Sequence, residues 1–235
     1  MNIHRNETLI KRNARIAQFT MFAGLAVLAG GMFVSFRYPE QVGLSLGALL
    51  LGFILSQVGI YYLNRWGRKP RPDELLDKSL KGLDRKYTLF HYASPVSHLL
   101  VGPSGVWVLL PYYQRGVITY AKGRWRQKGG GLLYQYLKIF AQESLGRPDL
   151  EVNGEIEALR KYLSKHLPEE SLPPIQAALV FTHPQAKIDI PPDESPPAET
   201  VTLADLKKLI GKPAKGKTLP PEKIRLIEDA ILTAG

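Results

Sequence analysis

The side chains able to do chemistry in this chain of 235 residues are few and unevenly placed. There is no cysteine, which excludes disulfides, thiolate metal sites and a cysteine nucleophile. Among the histidines, His91 and His98 bracket a short loop and invite comparison with a metal pair. A metal needs further donors, however, and no acidic residue occurs between Lys86 and Glu143. The pair therefore reads as satisfied edge or core histidines, with no metal. His166 and His183 stand beside prolines and are expected at the surface. The most suggestive polar run is Lys122-Gly123-Arg124-Trp125-Arg126-Gln127-Lys128, followed by three glycines. Its cations and backbone N–H groups are suited to gripping phosphates, of lipid headgroups or of nucleic acid. A solvated turn with alternating polar residues explains the same pattern. Lys207, Lys208, Lys212, Lys215 and Lys217 read as a solvated basic face. No phosphate-binding glycine loop, His-Glu-x-x-His or Gly-x-Ser-x-Gly motif is present.

The elements that must position these residues divide sharply in hydropathy. Ile16 to Phe36 and Val42 to Leu63 are runs of 21 and 22 residues without a charged side chain. Either run, as a helix, crosses a hydrocarbon core of about 30 Å. The net charge of +10 follows the same division, with +7 in residues 1–71 and +3 in residues 72–235. Arg5, Lys11, Arg12 and Arg15 precede the first run, Arg65, Arg68, Lys69 and Arg71 follow the second, and Arg37 and Glu40 lie between. The two runs predict an integral membrane protein, expected in a prokaryotic plasma membrane, and the bias of Lys and Arg toward cytoplasmic flanks predicts that both termini lie inside. A cleaved signal ending near Val27-Leu28-Ala29 is the weaker reading, because the first run is long and a second follows at once. The linker Arg37–Gln41 only turns, so the spans pair as an antiparallel hairpin. Ala26, Gly30, Gly43, Gly47, Gly52 and Ser56 are candidates for its seam, and Tyr61, Tyr62 and Trp66 for an interfacial anchor.

Residues 72–235 read as a mixed soluble domain. Asp73 to Gly82 predicts a helix with Asp73 as its cap. Tyr87–Ala93, His98–Val101, Val106–Leu110 and Val117–Ala121 predict a strand meander, turned by Gly102-Pro103-Ser104-Gly105 and by Lys122-Gly123. Val106–Leu110 is apolar on both faces, as suits a central strand covered on each side. Helices are predicted over 132–144, 151–166, 203–210 and 221–232, a strand over 175–182, and a proline-rich loop over 189–197. The fold class is α+β: a two-helix transmembrane hairpin, then a mixed α/β domain with a central β-meander flanked by helices.

The meander resembles the nuclease-related domain family known as NERD. The resemblance rests on Ser97-His98-Leu99-Leu100-Val101-Gly102-Pro103-Ser104-Gly105-Val106-Trp107-Val108-Leu109-Leu110-Pro111-Tyr112, then Gly116 and Gly123-Arg124-Trp125, and covers about residues 73–185, with a helical extension over 200–235. It implies a restriction-endonuclease-like core and a Mg²⁺-dependent nuclease site built from an Asp, a Glu and a Lys two residues beyond the Glu. The matching positions here are Ser97, Leu110 and Tyr112, none suited to that work, while Asp73 matches a further acidic position. The resemblance therefore implies a non-catalytic member without cofactor, a binding or assembly module at the cytoplasmic membrane face. Its expected partners are membrane lipid and a membrane-proximal protein. A nuclease or nucleic-acid-binding protein, with Mg²⁺ if it cuts, is the alternative.

Overall fold

The structure, a computed structural model, describes residues 1–129, 145–211 and 218–233. The predicted helix over 132–144 and Lys212, Lys215 and Lys217 lie outside the described residues. The described residues form two compact units, one comprising Met1–Asn6 with those described from Pro72 onward, the other Glu7–Arg71.

The helical unit contains α1 (Glu7–Arg37) and α2 (Val42–Tyr62), the latter continued by a π-turn over Leu63–Gly67. Both helices are long and apolar enough to cross a membrane. At 1.5 Å per residue the shorter is about 32 Å in length. Their seam differs from the one expected, whose candidates pair at four-residue spacing as Ala26 with Gly30, Gly43 with Gly47 and Gly52 with Ser56. Ala17, Gly24 and Gly31 on α1 and Ser45, Gly52 and Gly59 on α2 are buried, each set repeating every seven residues. A seven-residue repeat keeps one line of small residues facing the partner helix along its length. The backbones approach so closely that a Cβ on Gly52 or Gly59 would stand 2.6 Å from Leu28 or Met21. Of the residues named as seam candidates, Gly52 is buried in the seam and Ser56 lines it, whereas Gly30, Gly43 and Gly47 face open space and Ala26 is exposed. The outward surface is apolar: Phe19, Phe22 and Phe36 are 74%, 73% and 82% exposed.

The other unit is built on a six-stranded sheet in the order β1-β2-β3-β4-β7-β9. Its strands are β1 (Asn2–Arg5), β2 (Thr88–His91), β3 (His98–Gly102), β4 (Gly105–Tyr112), β7 (Ile175–Phe181) and β9 (Glu199–Thr202). β3 alone runs against its neighbours; the pairs β1–β2, β4–β7 and β7–β9 are parallel. The β3–β4 turn is closed by Gly102 opposite Gly105, and a Cβ on Gly102 would collide with the Tyr87 ring at 2.2 Å. Strand β4 alternates as its doubly apolar sequence predicts. Val106, Val108, Leu110 and Tyr112 enter one core with α4 (Pro148–His166) and α6 (Pro221–Leu232). Trp107 and Leu109 enter the other, with α3 (Pro72–Leu80) and the short α5 (Leu206–Ile210). A second sheet, β6 (Arg124–Lys128), β5 (Gly116–Ala121) and β8 (Ala186–Ile188), adds Ile118 and Ala186 to the first core.

Two sequence expectations change here. Residues 2–5, counted with the hairpin, form an edge strand of the sheet unit. The predicted 203–210 helix is confined to Leu206–Ile210, with Glu199–Thr202 forming strand β9 before it. The β-branched residues of Thr200-Val201-Thr202 suit that edge.

Candidate functional site

The strands place three groups of residues that bear on function. The first is a polar row across β1, β2 and β3. Parallel pairing sets Arg5 opposite His91, and antiparallel pairing sets His91 opposite His98. The two imidazoles meet through their Nδ1 atoms at 2.8 Å, one donating and one accepting. The other nitrogen of His91, Nε2, lies 3.0 Å from Asp77 Oδ1. Arg5 pairs with Asp73 Oδ2 at 3.1 Å and with Asp77 Oδ2. Asp73 and Asp77 share one face of α3 because they stand four residues apart. Asp73, His91 and His98 are all buried. The expectation that no carboxylate lies near the histidines is thus corrected: Asp77 reaches them from a helix outside the acid-free stretch. Asp73 is neither a cap nor a free acid, since Pro72 starts the helix and Arg5 holds its carboxylate. Among the described residues no three His, Asp or Glu side chains are grouped as a metal would require. The row is a buried ion-pair and hydrogen-bond network, and Arg5 and Asp77 carried no sequence signal beyond their charge. Of the other three histidines, His4 on β1 is half-buried and stacks on Phe90, His166 is exposed and stacks on Tyr162, and His183 is half-buried against Tyr113.

The second group comprises the positions that the family resemblance made catalytic. Ser97 lies in the bend before β3, outside its pairing with β4, and its carbonyl accepts from the Tyr92 N–H at 2.9 Å. Leu110 is 5% exposed and Tyr112 8% exposed, both within the core against α4. Tyr112 stacks on Phe181, with ring centroids 5.6 Å apart, and its hydroxyl donates to Glu151 on α4. Burial, and then the bonded Glu151 carboxylate, pushes the phenol pKa up. The shift has a consequence for stability. Between the ordinary tyrosine value of about 10 and the raised folded value, the folded state keeps a proton that the unfolded state has released. Stability should therefore fall as pH rises through that window. Unfolding measured from neutral to strongly alkaline pH should show this loss, and Tyr112→Phe should flatten it while costing about 1–2 kcal/mol at neutral pH.

The third group is the basic run. Lys122 and Gly123, with φ of 53° and 68°, form the two-residue turn of a β5–β6 hairpin. Positive φ at both positions matches the twist of the flanking strands. Along β6, Arg124, Arg126 and Lys128 are exposed, while Trp125 and Gln127 turn the other way. Trp125 packs against the first core and lies tilted at 54° against Tyr120, with centroids 4.9 Å apart. The register adds a cation that the linear run conceals. Val117 lies between Lys128 on β6 and Lys187 on β8, so Lys187 joins the same face. Lys122 stands apart, at the turn, where its backbone N–H donates to Glu194 Oε1 at 2.7 Å.

These features define a mixed α+β protein in which two long apolar helices are inserted between the first strand of a sheet unit and the rest of it. Comparison with known protein families, with curated proteins and with solved structures finds no match.

Proposed function

We propose that this chain is a membrane-anchored, non-catalytic relative of the NERD family, serving as a binding or assembly module at the cytoplasmic membrane face. The observation that carries the reading is the state of the expected catalytic positions. Leu110 and Tyr112 are packed core residues, and the Tyr112 hydroxyl is committed to Glu151. Leucine offers no ligand to a hard cation, and a neutral phenol is a poor one.

Anchoring is supported by the exposed apolar surface of α1 and α2. A core helix of a soluble protein would be mostly buried, whereas in the most apolar windows of these helices only 11% and 17% of residues are. Chain connectivity supports two crossings. β1 precedes α1 and α3 follows α2 within the same sheet unit, so the hairpin has to enter and leave on one side. Signal cleavage within α1 would also remove β1. Lys11, Arg12 and Arg15 with Arg65, Arg68, Lys69 and Arg71 favour the cytoplasmic side for both ends. Arg5, engaged by Asp73 and Asp77, is an ion-pair partner within the sheet unit and not a flanking charge.

The test is a cleavage assay on the full chain in lipid nanodiscs, with DNA and RNA substrates and Mg²⁺ or Mn²⁺. No cleavage above a protein-free control is expected. Cleavage abolished by a chelator would overturn the non-catalytic reading.

A further inference from the structure

We propose that the basic face of the three-stranded sheet docks on the anionic headgroups of the membrane that holds the hairpin, an inference that rests on the anchored reading above. Side chains alternate along a strand, so Arg124, Arg126 and Lys128 stand about 7 Å apart on one side of β6. Lys187 lies two strands over from Lys128, roughly 10 Å away. Between them β5 places Val117, Thr119 and Ala121 on the face, and Asp189, whose N–H donates to Ile118 O at 2.9 Å, follows Lys187 on it, so four cations stand against one acid. None of the four cations is in an ion pair among the described residues. Such a sheet face gathers its charges on one side, where a leaflet of phosphates can meet them together.

The hairpin's aromatics decide between lipid and single-stranded nucleic acid. Proteins that bind single strands stack bases on exposed aromatic rings. Here Trp125 and Tyr120 belong to the opposite side of the ribbon and pack against each other. What remains outward is charge without a stacking platform. Tethering strengthens the case, because a domain already held at the leaflet meets headgroups at high effective concentration. Each basic residue near an anionic leaflet then adds roughly fivefold to docking.

The chain's lack of cysteine permits a single labelled site. Thr119→Cys, at the centre of the face, would carry a fluorescent donor in the full chain reconstituted into vesicles containing an acceptor headgroup lipid. Vesicles of phosphatidylcholine alone would be compared with equal parts phosphatidylcholine and phosphatidylglycerol. Energy transfer should be higher in the anionic vesicles and fall in concentrated salt, where the screening length shrinks to about 3 Å at 1 M. The variant Arg124→Gln, Arg126→Gln, Lys128→Gln, Lys187→Gln should weaken docking by about two to three orders of magnitude. Lys122→Gln, outside the array, should leave transfer unchanged. A thermal melt of each variant separates lost docking from lost fold.

Transfer indifferent to lipid charge, in protein that floats with the vesicles, overturns the docking proposal and leaves the anchor intact. Protein that fails to float overturns the anchor itself. A donor that responds to duplex DNA or RNA in neutral vesicles, loses that response in the quadruple variant and ignores phosphatidylglycerol assigns the face to nucleic acid and overturns the proposal.

Discussion

A fragment beginning at residue 72 is expected to fold poorly, whereas a chain in which a short Gly-Ser linker replaces residues 7–71 is expected to give a soluble, cooperatively melting sheet unit. The difference between them is six residues. Asn2 to Arg5 pair in register with Thr88 to His91, and hydrogen bonds from Asn2 N to Tyr87 O (2.8 Å) and from Asn6 N to His91 O (3.0 Å) extend that pairing at both ends. Removing the strand also removes Arg5 from the fully buried Asp73 and from Asp77, which holds His91. Breaking one side of a buried ion pair costs about 3–5 kcal/mol. Small domains have only about 5–15 kcal/mol in total. The linker can be short because Arg5 and Asp73, each one residue inside its end of the sheet unit, are in contact. Urea unfolding followed by circular dichroism compares the two proteins. In the linked protein, Arg5→Ala should recover most of the deficit of the truncated one; equal stability of all three would refute a structural role for the row.

Placing at Ser97, Leu110 and Tyr112 the catalytic residue types that the proposed relationship calls for is expected to damage the fold before it creates chemistry. Leu110→Glu places a carboxylate among Val108, Leu179 and the helices of the first core, where it has no water. Desolvation raises the pKa of such a group far above the ordinary value of about 4.3. The folded state then holds a proton that the unfolded state releases. Stability of the variant should therefore fall as pH rises above about 4, with a loss of several kcal/mol at neutral pH. Tyr112→Lys should be milder, because the new ammonium meets Glu151. The triple variant Ser97→Asp, Leu110→Glu, Tyr112→Lys should show no Mg²⁺-dependent cleavage and should melt lower than any single variant. Leu110→Met, similar in volume and apolar, should cost less than about 1.5 kcal/mol. Denaturation across pH, with and without Mg²⁺, reads all of these. Rescue of the triple variant by Mg²⁺ would show that the core can open into a site.

Much of the architecture was legible before the structure because it depends on local pattern. The two uncharged runs became α1 and α2, the meander became β2 to β5, and the doubly apolar Val106–Leu110 became the centre of a sheet covered on both faces. The hairpin seam was misread for a physical reason. Four-residue spacing of small residues is common on any helix, whereas the buried set is chosen by which face each helix turns to the other. That choice gave the seven-residue repeat of Ala17, Gly24 and Gly31 against Ser45, Gly52 and Gly59.

The candidate sites divide the same way. Sequence by itself determined that Ser97, Leu110 and Tyr112 are poor ligands for a divalent metal, because side-chain type alone settles what can ligate one. It also determined that alternate residues of β6 are cationic, because a strand has a period of two. Only tertiary structure decided that Asn2 to Arg5 belong to the sheet, that Asp77 reaches His91 across 14 positions, and that Lys187 shares a face with Arg124, Arg126 and Lys128. Each of these joins residues brought together by strand order and helix packing, and neither is encoded in the spacing of the residues that meet.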